Sequence, residues 1–132
     1  VKEALQKEAW IILTTHTRIE KVNVLQNCIV SAMTEYADYL SGSNLPKVEY
    51  SVLTDEKHGK YQLLAVGWEK KERIYSIIFH TDIVGGTFGF NEDNTEYGFA
   101  NLLMERGVEK KDIVLAYYPE SHRHSGQVSG LA

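Results

Sequence analysis

Residues 59–81 have the sequence GKYQLLAVGWEKKERIYSIIFHT, in which two apolar segments flank a short charged one. The pattern predicts two long antiparallel strands joined by a turn near residues 69–72. Successive side chains of a strand point to opposite faces. One face is predicted to carry Tyr61, Leu63 and Ala65 with Tyr75, Ile77 and Phe79, and the other Gln62, Leu64, Val66 and Trp68 with Ile74, Ser76, Ile78 and His80.

Both predicted faces are apolar at their centre. A hairpin with one face in water alternates apolar with polar residues, so we expect helices on one face and a partner or another segment on the other. The apolar members of the second face are predicted to be Leu64, Val66, Ile74 and Ile78. Burial of a few hundred Å² at about 25 cal/mol per Å² can outweigh the cost of association when packing is good. The sequence therefore predicts a homo-oligomer, with a homodimer as the expected form.

The composition is that of a globular protein of single-domain size. The chain has 132 residues, of which 43% are hydrophobic and 24% are charged. Its formal net charge of -4 gives no positive footprint for nucleic acid over the whole domain. The local positive clusters, which we expect to be solvated turns, are Lys57 with Lys60, Lys70 and Lys71 with Arg73, and Lys110 with Lys111.

The single cysteine and the hydropathy pattern predict the compartment. Cys28 excludes an internal disulfide framework and fits a reducing cytoplasm, and its apolar neighbours predict a small buried residue rather than a nucleophile. The wholly apolar run at residues 9–13 is far shorter than the roughly 20 residues that cross a bilayer. No secretory signal is evident. We expect a cytoplasmic protein with no membrane segment.

Periodicity along the chain predicts an α+β domain. Residues 22–40 have apolar positions at helical spacing, and a strand with one polar face follows Pro46. A turn is predicted at residues 55–59, and the Gly85-Gly86 turn precedes a strand with Phe88 and Phe90 on one face. The resulting architecture is an antiparallel four-stranded meander sheet, with a long N-terminal helix and a second helix packed on it.

The C-terminal third is predicted to contain the second helix and a short strand. Asp93 or Asn94 is the expected N-cap, and Glu96, three residues after Asp93, resembles a capping box. Phe99 lies on the expected core face of this helix, and Gly107 is placed to end it in the left-handed conformation. Residues 112–118 are predicted to form a last short strand that ends at Pro119.

Several of these motifs together resemble one protein family. YQLLAVGW at residues 61–68, followed by RIYSIIFHTDI at residues 73–83, resembles the core hairpin of the XisI family, the fdxN-element excision-controlling factors. DNTEYGFA at residues 93–100 and GVEKKDIVLAYYP at residues 107–119 continue the resemblance in the same order. It covers the chain from about residue 22 onward. The expected division is an N-terminal extension of unknown role at residues 1–21 and a single XisI-like domain at residues 22–132.

The resemblance implies a non-enzymatic role. What the resemblance implies is participation, as an accessory factor, in the programmed excision of a DNA element in nitrogen-fixing bacteria. A site-specific recombinase performs the strand chemistry in that process. The resemblance also implies a XisH-type partner, itself similar to nuclease-fold proteins. We therefore expect this chain to act through protein contacts with that partner and, directly or indirectly, with the recombination machinery.

Few residues suggest catalysis or metal binding. His80 and Asp82 lie two apart on a strand and share a face, but no third ligand lies nearby in sequence. Arg123 stands between two histidines near the C-terminus and can engage a carboxylate or phosphate through its planar guanidinium. No nucleophile motif or phosphate-binding glycine loop is present. We predict no catalytic residues, no cofactor and no metal.

Three alternatives to the accessory-factor hypothesis are considered. A small DNA-binding module would touch phosphates with its lysine turns and stack Trp68 or a tyrosine on a base. An antitoxin-like inhibitor would block a nuclease-fold partner with Glu92, Asp93 and Glu96. An enzyme of unrecognised type would depend on His80 and Asp82, and it ranks last. The candidate interface or partner-binding residues are Leu64, Val66, Trp68, Ile74, Ile78, His80, Asp82 and Arg123.

Overall fold

The structure is a computed structural model that describes residues 18–43 and 45–122. A long helix packs across one face of a five-stranded sheet, and a short second helix packs beside it. The elements are α1 (Arg18–Ser41), β1 (Val48–Asp55), β2 (Lys60–Glu69), β3 (Glu72–Val84), β4 (Thr87–Asp93), α2 (Phe99–Glu105) and β5 (Ile113–Leu115). Short 3₁₀ helices occupy Glu56–His58, Lys110–Asp112 and Glu120–His122. No helix in this part of the chain is long and apolar enough to cross a membrane.

The strands lie side by side in sequence order, β1-β2-β3-β4-β5. The α+β class is confirmed, and β1 to β4 form the antiparallel meander that the sequence predicts. The prediction of four strands, all antiparallel, is wrong, because β5 joins the same sheet and runs parallel to β4. The reason is the connection: α2 lies between β4 and β5, and a crossover of this kind brings the chain back in the same direction.

The predicted amphipathic helix is α1, and it covers the core. It begins at Arg18, about one turn before residue 22, where the apolar pattern begins. Its side chains Leu25, Ile29 and Met33 are buried against the sheet. The aromatic centre of this core is Phe79, whose ring stacks on that of Phe99 with their centroids 4.0 Å apart. The helix is held on the sheet by burial of this apolar stripe.

The start of α2 differs from the predicted capping box. The Asp93 carboxylate accepts hydrogen bonds from the backbone N–H of Thr95 at 3.0 Å and of Phe99 at 2.8 Å. The helix therefore begins at Phe99, six residues after its capping carboxylate, and Glu96 takes no part. The end of the helix follows the prediction, since Gly107 has φ +98° and the next N–H bonds back to the Leu103 carbonyl at 3.1 Å.

The two halves of β3 have different surroundings. Residues 79–84, the inner half, pair with β2 on one side and with β4 on the other. Residues 72–78, the outer half, pair with β2 alone among the described residues. The sheet therefore has a step at Phe79, beyond which the strand continues without β4.

Candidate interaction site

The open face of the sheet, opposite α1, carries a cluster of apolar side chains. Directly opposed residues of an antiparallel pair lie on the same face. Val66 pairs with Tyr75, and Leu64 pairs with Ile77. We define the apolar patch as Leu64, Val66, Trp68, Tyr75 and Ile77. Tyr75 is 70% exposed and Trp68 is 47% exposed, so the patch presents large apolar groups to solvent.

The predicted placement of Ile74 and Ile78 on this face is wrong. The pairing register shifts between Leu63, which lies opposite Phe79, and Leu64, which lies opposite Ile77. Ile78 is the extra residue of this bulge and packs against the core. A one-residue bulge reverses the alternation that follows it. Tyr75 and Ile77 therefore occupy the open face in place of the two isoleucines.

Trp68 lies at the outer end of the patch beneath an arginine. The Arg73 guanidinium carbon is 5.3 Å from the centroid of the Trp68 ring, a cation–π arrangement. One face of the indole is therefore already covered. A nucleobase that stacked on Trp68 would have only the other face.

His80 and Asp82, predicted to share a face, are in direct contact. His80 Nε2 lies 3.0 Å from Asp82 Oδ1, and Gln62 Nε2 lies 3.2 Å from His80 Nδ1. Lys60 Nζ donates to Asp82 Oδ2 at 3.2 Å. The geometry is satisfied when Nε2–H donates to Asp82 and Nδ1 accepts from the Gln62 amide. Both ring nitrogens have partners, so the pair has the geometry of a structural contact.

The electrostatics of Asp82 agree with this assignment. Partial burial favours a higher pKa for its carboxyl, but hydrogen bonds from His80, Lys60 and Asn91 outweigh that effect and hold the pKa below its ordinary value. Within the described part of the chain, no group of three His, Cys, Asp or Glu side chains is arranged to hold a metal ion. The cluster therefore stabilises an ionised carboxylate at the inner end of the open face.

Two of the three positive clusters lie at opposite ends of β2. Lys60 begins β2 and Lys57 lies in the short 3₁₀ helix before it, whereas Lys70 and Lys71 lie just after the end of β2. Ten residues of β-strand span about 30 Å. Lys60 is also paired with Asp82. The two clusters consequently do not form one continuous stripe.

A groove lined by tyrosines lies between α1 and α2, and sequence reasoning missed it. It has a volume of about 380 Å³ and is lined by Tyr36, Tyr39, Tyr97, Glu35, Glu96 and Arg106, together with Ala32 and Leu102. A second depression of about 460 Å³ shares three of these residues and extends to Ile78 and Asn94. We call the two together the tyrosine groove. The signal that could have indicated the groove was the exposed position of Tyr39 on α1. Tyr97, which lines the same groove, is far away in sequence.

Charges in the tyrosine groove are mainly negative. The Arg106 guanidinium pairs with the Glu35 carboxylate and hydrogen bonds to Ser31. Partial burial, the neighbouring Tyr39, and the carboxylates of Asp93 and Glu96 raise the pKa of Tyr36. Of the three acidic residues proposed for an inhibitor surface, Glu96 lines the groove, whereas Asp93 is used in capping α2.

Two remaining candidates have separate outcomes. Arg123 lies outside the described residues, so its role stays a prediction. Cys28 is half-buried on α1, and desolvation raises the pKa of its thiol despite the opposing effect of Arg106. A raised pKa disfavours the reactive thiolate.

Comparisons with known proteins give the family. A family model described as XisI protein matches residues 19–129. A XisI-like protein from Anabaena variabilis ATCC 29413 has a similar crystal structure, with a TM-score of 0.69 and 28% sequence identity, over 77% of this chain and 92% of that one. The fdxN element excision controlling factor XisI from the same organism has a TM-score of 0.64 and 28% identity, over 85% of this chain and 95% of that one. No curated protein matches the chain. Because the family model spans most of its length, this protein belongs to the XisI family.

Proposed function

We propose that this chain is a non-catalytic accessory factor for the programmed excision of a DNA element, acting through protein contacts in the cytoplasm. The observation that carries the proposal is its membership of the XisI family, together with its similarity to a protein named as an fdxN element excision controlling factor. In this proposal a site-specific recombinase breaks and joins the DNA. A XisH-type protein is the direct partner.

The His80–Asp82 pair supports a non-catalytic role. A general base needs a ring nitrogen within hydrogen-bond reach of the substrate proton. Here both nitrogens of His80 already have partners, and Asp82 is held by Lys60 and by the histidine. The pair therefore favours a structural function on the open face.

The charge distribution supports a protein partner over direct DNA binding. The net charge of -4 repels phosphate overall. The lysine clusters at the two ends of β2 are about 30 Å apart, and Trp68 has Arg73 over one ring face. The features that the DNA-binding alternative requires are thus dispersed.

The apolar patch supports the proposed homodimer. Leu64, Val66 and Ile77 lie at its centre, and the larger rings of Trp68 and Tyr75 lie toward the turn between β2 and β3. In this arrangement two copies bury their patches against each other. The helix-covered face and the tyrosine groove then remain on the outside of the dimer.

Co-expression with a XisH-type protein from the same organism tests the proposal. We expect the two proteins to copurify and to bind in calorimetry, while duplex DNA at physiological salt binds more weakly. The double variant Lys70→Asn with Lys71→Ser separates the cases, because loss of phosphate contacts weakens binding to every DNA sequence. It leaves Arg73 in place over Trp68. Submicromolar DNA binding with a steep salt dependence, and no complex with the partner, would contradict the proposal.

A further inference from the structure

The outer half of β3 presents unpaired backbone groups along its edge. The Asn94 side chain donates from Nδ2 to the Ile77 carbonyl at 2.8 Å, so the backbone groups of Ile77 point away from β2. Both backbone groups of a residue in an antiparallel strand face the same side, and the direction alternates along the strand. Those of Tyr75 and Arg73 therefore also point outward. Among the described residues, the outward N–H groups of these three have no backbone partner.

Asn94 marks the place where an added strand would begin. Its backbone N–H donates to the Ile78 carbonyl at 2.8 Å, and its side-chain amide donates to the Ile77 carbonyl. At this point the chain leaves β4 and passes through residues 94–98 to α2. Among the described residues, no strand therefore continues in line with β4 beside the outer half.

The tyrosine groove opens directly beside this edge. Ile78 and Asn94 line the groove at the step in the sheet. α1 covers the same face of the sheet, and Tyr36 and Tyr39 near its C-terminal end form the opposite wall. Side chains of a strand alternate between its two faces. Every second side chain of a strand added to the outer half would therefore point toward the groove.

The charges and rings of the groove favour a cationic side chain. The Glu96 carboxylate has no hydrogen-bond or ion-pair partner within the described part of the chain. Arg106, the cation in the groove lining, is already paired with Glu35. Tyrosine rings beside a carboxylate attract ammonium and guanidinium groups through both the ring faces and the charge.

We propose that the outer half of β3 accepts an extended segment of a partner protein as an added strand, with a lysine or arginine of that segment in the tyrosine groove. The inference rests on the proposed function only in that the chain acts through contacts with another protein. In this mode the main-chain hydrogen bonds supply affinity, and the pocket for alternate side chains supplies specificity.

The test uses the full chain and a soluble labelled decapeptide in which arginine alternates with threonine, with a glutamate–threonine decapeptide as the opposite-charge control. Fluorescence anisotropy measures binding at physiological ionic strength, and NMR measures amide hydrogen exchange. We expect the arginine peptide to bind saturably. We expect it to slow exchange of the Arg73, Tyr75 and Ile77 amides by about tenfold or more. Ile74 and Ser76, which face β2, should change little.

Two matched variants locate the cationic side chain. Glu96→Lys should weaken binding of the arginine peptide by roughly five- to tenfold, because it replaces an attraction with a repulsion. Glu56→Lys makes the same change of charge at an exposed turn at the far end of β2, and should leave binding within about twofold. Tyr75→Pro removes an outward N–H that no described strand uses, and should abolish the exchange effect.

Several outcomes would overturn the proposal. Peptide binding without protection of the outward amides would exclude strand addition, and equal effects of Glu96→Lys and Glu56→Lys would exclude the groove. Protection of the outward amides in the free protein would mean that the edge is already covered. Protection that rises with protein concentration would assign the cover to a second copy, and protection independent of concentration would assign it to this chain itself. The assay contains no XisH-type protein, so its result is independent of whether that complex forms.

Discussion

The two halves of β3 belong to one strand but have opposite surroundings. In the inner half Phe79 and Thr81 are fully buried, and the strand is paired on both sides. In the outer half Tyr75 is 70% exposed and the strand is paired on one side. Stability is thus concentrated in the inner half, while the outer half presents side chains and backbone groups for contacts with other molecules.

The largest expected difference between the halves is in stability. Phe79→Ala removes a ring that stacks on Phe99 and meets Phe90 edge-on, and should lower the free energy of unfolding by about 3–5 kcal/mol. Tyr75→Ala on the same strand should change it by roughly 0.5 kcal/mol or less, because the ring is exposed. Urea denaturation measures both. Similar losses for the two variants would contradict the division of the strand.

The outer half of β3 pairs with β2, and β2 in turn lies close to the backbone that leads into β1. Gly67 lies opposite Ile74, and a Cβ added there would be 2.0 Å from the Lys47 carbonyl oxygen. Gly67→Ala should therefore cost roughly 1–3 kcal/mol of unfolding free energy. Gly89→Ala is the matched strand control, since its nearest contacts are at 3.9 and 4.0 Å. If both substitutions are neutral in thermal and urea unfolding, the β1 approach is not as close as described.

The two ends of the open face should contribute unequally to the proposed homodimer. Val66→Lys places a charge in the apolar patch and should weaken the proposed homodimer by about tenfold or more. Val84→Lys makes the same change at a 70% exposed position on the open face of the inner half, and should leave the dimer unchanged. Light scattering over a range of concentrations measures both. A monomeric wild-type protein at micromolar concentration would refute the dimer.

The smallest expected effect is the pH-dependent stabilisation of the fold by Asp82, at the inner end of the open face. The folded pKa of Asp82 is below its ordinary value near 3.8, so ionised Asp82 stabilises the fold above that pH, and the contribution disappears as pH falls through the lower folded pKa. Asp82→Asn should cost about 1 kcal/mol at neutral pH, and this cost should diminish as the pH falls through the lowered folded pKa. Asp38→Asn, on the exposed side of α1, is the control. A difference that grows in acid would reverse the assigned sign.

The sequence predicts the sheet better than the surface that the sheet presents. Phe88 and Phe90 share the core face as expected, because their spacing admits one strand register. The bulge at Ile78 was not predictable, since residues on both sides of it are apolar and either register buries apolar groups. The family resemblance was recognisable because its motifs are ordered along the chain.

Other features depend on contacts between distant residues. The direction of β5 follows from where α2 packs, which three strand residues cannot specify. The tyrosine groove brings Tyr39 together with Tyr97, and neither tyrosine has a local pattern that indicates the other. The start of α2 depends on the reach of Asp93 across the intervening loop.

The sequential strand order has a consequence for how the protein is made. Each strand pairs with its neighbour in the chain, and pairs that close short stretches form quickly because loop closure costs little entropy. A chain leaving the ribosome can thus build the sheet strand by strand. The tyrosine groove differs, because the ion pair between Glu35 and Arg106 joins residues 71 positions apart. A nascent chain would therefore have the β1–β4 meander before its groove, and recruitment of a partner through the groove would wait until α2 has been synthesised.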